Sequence, residues 1–130
     1  TQRISVVEAE KAHPVVRGLE NGFTITDETY LCPIFPETFH PLLTTDFVAV
    51  PENFPAQRQS NPEWNPARVP NYVGWYKAVE NSPLVYLQNG HDNNAWSNPA
   101  FQTLMLNAIK WTASQEGRAW ARKNRKANEG

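Results

Sequence analysis

The chain has 130 residues, of which 40% are apolar and 12% aromatic; that is enough to build one hydrophobic core and excludes general disorder. A net charge of −1, from 12 basic and 13 acidic residues, gives no field to gather nucleic acid or an anionic membrane surface. No apolar run approaches the ~20 residues of a bilayer span, so neither a nucleic acid nor a membrane is expected as a partner.

The opening "TQRISVVEAEK" lacks the cationic-then-apolar layout of a secretory signal. A start on Thr1 instead of Met marks a trimmed terminus, and the compartment stays open between cytoplasm and periplasm. Residues 3–8, "RISVVE", suit a short strand. In "HPVVRGL" at 13–19 the proline biases His13 away from helix. Residues 21–31, "NGFTITDETYL", alternate behind an Asn-Gly pair and predict a second strand. Cys32 is the single cysteine and rules out an internal disulfide; between an apolar run and Pro33 it reads as a small buried side chain. Residues 46–50, "DFVAV", predict a further strand. From 51 to 72 five prolines leave no period, as in a functional or flexible loop. Residues 82–88, "SPLVYLQ", are apolar on both faces and predict an inner strand of a covered parallel sheet.

The helix after it has the clearest signals. Asn98 is placed to cap it and Pro99 suits its first turn. Phe101, Leu104, Met105, Ala108, Ile109 and Thr112 recur at helical spacing as one core-facing stripe. Beyond it, residues 116–130 hold five basic and two acidic groups, a local +3. They read as a separate basic C-terminal tail, helical in part and solvated, behind a domain at 1–115.

Candidate chemistry gathers where "LVYLQNGHDNNAW" at 84–96 runs out of its strand. Gly90 allows a sharp turn, and His91 then emerges beyond a strand's carboxyl end, where open α/β sheets bind ligands. Imidazole suits general acid–base work near neutral pH, with Asp92 or Glu28 to orient the ring. A turn histidine that only hydrogen-bonds its loop explains the same residue. Glu28 and Tyr30, two apart, would share one face of a strand and line a polar pocket; a solvated strand end at Asp27 and Glu28 is the alternative. Trp96 offers an indole platform for a sugar ring, with Asn93 and Asn94 as hydroxyl partners and Trp64 as a lid, although Asn-rich turns are also ordinary turn chemistry. His40 and His13 read as structural side chains on local grounds.

Four segments in order, "HPVVRGL" at 13–19, "DETY" at 27–30, "LVYLQNGHDNNAW" at 84–96 and "NPAFQTLMLNAIKWTA" at 98–113, resemble the C-terminal half of ThuA-like domains, named for trehalose utilisation. The resemblance implies an α/β fold: part of a flavodoxin-like or class I glutamine amidotransferase-like sandwich, a short sheet with a C-terminal helix. That sheet would be incomplete, or completed by another copy of the chain or by the family's N-terminal half. It also implies a small carbohydrate as partner and an enzyme of glycoside or keto-sugar processing, with a non-catalytic carbohydrate-binding or assembly module as the alternative. His13, Glu28 and His91 all fall in family-like segments, so the resemblance further implies a possible divalent-metal site, zinc being the obvious ion. An amidotransferase mechanism does not carry over, because Cys32 lies in no nucleophile-elbow sequence.

Overall fold

The computed structural model describes residues 1–63 and 71–125; Trp64, expected as a lid, lies outside them. Strands β1 (Gln2–Val6), β2 (Phe23–Ile25), β3 (His40–Thr45), β4 (Tyr72–Val79) and β5 (Ser82–Leu87) make a curled five-stranded sheet in the order β2-β1-β3-β4-β5. Every neighbouring pair is antiparallel. The helices are α1 (Pro55–Ser60), α2 (Asn93–Trp96), α3 (Pro99–Ala113) and α4 (Gln115–Asn124), with single 3-10 turns including Pro14–Val16. The described residues therefore form a mixed α/β unit with its helices at the C-terminal end. No helix among them is long and apolar enough to cross a membrane.

The expected inner parallel strand at 82–88 is corrected to an antiparallel edge strand. A two-residue turn, Glu80–Asn81, joins β4 to β5, with Glu80 at φ 53°. So short a link can only return the chain antiparallel, since a parallel crossover needs a dozen residues or more. Accordingly β5 is half-buried at most along its length. The strand expected at 46–50 lies instead at 40–45. Pro41 hid it: proline cannot donate to a ladder, and β3 accommodates it through register irregularities between Pro41 and Thr44. The strand expected over 21–31 stops at Ile25, and the "DETY" segment after it is extended chain outside the sheet.

One face of the sheet carries the core. Alternation in β1 buries Gln2, Ile4 and Val6 and exposes Arg3 and Ser5. Val15, Val16, Leu42, Val73, Phe101, Leu104 and Trp111 join Ile4 in the same cluster. Buried Gln2 and Thr45 bond to each other through their side chains, and no buried side-chain polar atom of the described residues lacks a partner. At Gly22, φ is +73° and a Cβ would stand 2.2 Å from the Ile4 carbonyl oxygen, so the turn into β2 admits no other residue without rearrangement.

Helix α3 starts as its sequence requires. The Asn98 side chain accepts from the amides of Ala100 and Phe101 at 3.0 and 3.2 Å and donates to the Thr24 carbonyl at 2.9 Å, tying the helix start to β2. Phe101, Leu104, Ala108 and Trp111 are buried, whereas Ile109 is 57% exposed, so the stripe turns toward Trp111. Serine 114 breaks the helix and caps the next by accepting from the Gly117 amide. Helix α4 then packs on β4 and β5, burying Ala121. The part of the expected solvated tail that is described, residues 116–125, thus lays an apolar side on the sheet, while Arg118, Arg122 and Lys123 face solvent; residues 126–130 lie outside the described residues.

Candidate functional site

Chain 89–91 leaves β5 by a turn that Asp27 holds from outside. One oxygen of the Asp27 carboxylate accepts from the Gly90 amide at 2.8 Å and from Asn89 Nδ2 at 3.1 Å; the other accepts from the His91 amide at 3.3 Å and the Glu28 amide at 2.9 Å. Carboxylate-to-amide bonds of this kind are stronger than neutral ones. Gly90 has φ +124°, a conformation that L side chains rarely adopt, so the turn favours glycine, although a Cβ there would meet Phe101 and Trp96 only at ordinary contact distances. Asp27 was legible only as a solvated strand end. Its signal was its place, directly before Glu28 in an extended segment free to lie across another strand's end.

The segment is pinned a second time. Gln88 accepts from the Tyr30 amide at 3.3 Å and donates to the Tyr30 carbonyl at 3.0 Å, a strand-like pairing made by a side chain. These bonds bring the expected trio together. Tyr30 Oη lies 2.6 Å from His91 Nδ1, and Glu28 Oε2 lies 3.4 Å from the same nitrogen. In the tautomer with its proton on Nδ1, the ring donates to Tyr30 Oη and leaves Nε2 as the unprotonated nitrogen, to which no described residue bonds. Partial desolvation, then the charges of Glu28 and Asp27, raise the Tyr30 hydroxyl above its ordinary value, which keeps it protonated at neutral pH.

Asp92 does not orient this ring. Its carboxylate caps α2, accepting from the amides of Asn94 and Ala95 at 2.8 and 3.4 Å and from Asn94 Nδ2 at 3.0 Å. Desolvation works against its ionisation, but those bonds and nearby His91 hold it below the usual carboxylate value. Asn94 is thereby committed to the cap, while Asn93 is exposed in the same turn. Trp96 donates from Nε1 to the Gly90 carbonyl at 3.0 Å and meets Phe101 edge-on, leaving its ring 49% exposed.

His13 caps a turn and packs among aromatic rings. Its Nδ1 accepts from the Val15 amide at 3.2 Å, capping the Pro14–Val16 turn, and its ring lies 4.3 Å from Tyr76 and 4.6 Å from Trp111 between centroids. Among the described residues no three His, Cys, Asp or Glu side chains cluster as metal ligands would. His40 stacks on the other side of this group, 5.0 Å from Tyr76.

Beside the trio lies a cavity of about 430 Å³ that sequence reasoning missed. It sits past Thr45 of β3, Tyr72 of β4 and Gln88, walled by residues 29–34 and 45–49, with Tyr30 on its boundary. Cys32, expected to be buried, is half-exposed on this wall.

No curated protein and no solved structure matches the chain significantly. The family model ThuA, described as trehalose utilisation, matches residues 1–112. That stretch runs from β1 into the last turn of α3 and takes in Asp27, Glu28, Tyr30 and His91. The chain belongs to the ThuA family, which suggests a role in carbohydrate metabolism.

Proposed function

We propose that the chain is a carbohydrate-processing enzyme whose His91 moves a proton to or from a sugar or glycoside. The observation that carries this is the Tyr30–His91–Glu28 contact at an exposed strand end: one ring nitrogen is held by two polar partners and the other has none among the described residues. Such an arrangement fixes tautomer and ring direction, as a general base requires. When Nε2 takes a proton, the imidazolium gains the Glu28 carboxylate 3.4 Å away as counter-charge. Asp27 serves as the positioning residue, since it holds the His91 backbone instead of touching substrate. Trp96 and Asn93, exposed in the following turn, are the groups offered to a sugar ring.

The amidotransferase-like architecture belongs to the same reading, supported by the histidine just past the end of β5 and by family membership. A zinc-dependent version would need a third protein ligand beside His91 and Glu28, and none clusters with them among the described residues. Single replacements His91→Ala and Glu28→Gln, assayed on a panel of glycosides and keto-sugars, test the proposal. Loss of turnover on at least one substrate class supports it; unchanged turnover in both variants ends it. Metal content of the purified protein before and after His91→Ala decides the zinc version.

A further inference from the structure

We infer that the cavity beside His91 receives an apolar aglycone, so that the preferred substrate is an uncharged aryl or alkyl glycoside and not a disaccharide with hydroxyls at both ends. The inference rests on the proposed site, whose Tyr30 forms part of the cavity boundary.

Size and position come first. At about 430 Å³ the cavity falls within the ~300–1,000 Å³ of small-molecule sites. It opens at the same end of the sheet as the turn that carries His91. Leu31, Cys32, Ile34, Phe47, Val48 and Tyr72 give it a largely apolar lining.

The polar groups of the lining decide the ligand class, because most are already engaged. Gln88 holds both backbone groups of Tyr30. Asn71 Nδ2 donates to the Thr45 carbonyl at 2.9 Å. Thr45 Oγ1 bonds to Gln2 and accepts from the Phe47 amide, and Thr29 Oγ1 reaches Gln2 at 3.4 Å. One oxygen of Asp46 accepts from the Arg3 amide at 2.8 Å; its other oxygen, Asn71 Oδ1 and the Tyr72 hydroxyl complete the polar lining. These are mostly acceptors, so a sugar ring buried here would find too few donors for its oxygens, each at the cost of a lost hydrogen bond. No Lys, Arg or His among the described residues lines the cavity, so none of them favours a phosphorylated ligand. An apolar group, by contrast, gains from leaving water. The hydroxyl-rich ring then remains outside, over His91 and the exposed Asn93.

Cys32 makes the inference measurable, because it is the single cysteine and stands in the cavity wall. The full chain is treated with a thiol reagent in the presence of phenyl α- or β-glucoside, trehalose or glucose. Phenyl glucoside should slow labelling of Cys32 while trehalose and glucose at equal concentration do not. Equal protection by trehalose, or no protection by either phenyl glucoside, overturns the inference. Val48 is 64% exposed, so Val48→Asp should fold, and a charge at the cavity wall should weaken phenyl glucoside binding about ten-fold; unchanged binding counts against the cavity. His91→Ala separates the two readings: protection that survives with turnover lost supports both. Protection with no effect on turnover sinks the catalytic proposal alone. Turnover without aglycone preference sinks the cavity alone.

Discussion

Two regions of this molecule use the same residue types to opposite ends. Under the helices, His13, Trp111 and Trp120 pack against Tyr76, which the exposed His40 also stacks on, and the Tyr76 hydroxyl donates to Glu10 at 2.8 Å. Burial, then the bond to Glu10 and its charge, push that hydroxyl far above its ordinary value. Every polar atom named there serves a bond that holds elements together. At the other region Tyr30, His91 and Glu28 also meet, but exposed and around a single nitrogen. Histidine and tyrosine side by side do not define a site. What separates the two is that His13 is packed among aromatic rings, whereas His91 stands exposed with polar partners at one nitrogen.

That contrast can be broken in order of effect. His91→Ala should cut turnover by ~10²–10⁴-fold, the usual share of general acid–base catalysis, with the melting temperature unchanged; a steady-state assay beside a thermal melt checks both. Phe101→Ala, which empties a fully buried ring site under Gly90 and Trp96, should cost ~3–5 kcal/mol of stability by denaturant titration. His13→Ala should do the reverse of His91→Ala: a loss of ~1 kcal/mol or somewhat more for the cap and its packing, with turnover per folded molecule retained. Asp27→Asn sets an amide NH2 where two N–H donors point and so loses two of the four bonds that hold the turn, and should lower kcat about ten-fold with a fall in melting temperature of a few degrees. The smallest effect is one of pH. Burial depresses the His13 imidazole below its ordinary 6.5, with His40 adding to this and Glu10 and Glu116 opposing it. A lowered folded value means that the unfolded chain binds the proton first. His13's contribution is therefore full above about pH 6.5 and is lost as pH falls through the depressed value. His13→Asn, which can still cap, should flatten that part of the stability–pH curve.

Helix α3 was readable because its signals are local: a capping Asn98, Pro99 and a stripe at helical spacing. Strand β4 was not anticipated, although it is the strand between β3 and β5. Its aromatic residues blur the alternation, and Gly74 stands where a Cβ would meet Leu43 at 2.9 Å, a close approach visible only once β3 is beside it. The site divides similarly. His91, Glu28 and Tyr30 carry their chemistry in the residue type and were singled out as such. Asp27 and Gln88 matter through backbone amides of segments some 60 residues away, and no spacing rule reaches that far. The cavity was hidden for the same reason, since its walls come from loops that only the sheet's end brings together.

The glycine at position 90 joins reactivity to architecture. Its carbonyl receives the Trp96 indole, and its α-carbon sits against Phe101 at the head of the long helix. The imidazole next door is therefore mounted on the hydrophobic interior and not on a free loop. Changes that loosen the helix start should blur the ring's aim well before the protein unfolds, so in this fold catalytic decline is the early symptom of a softening core.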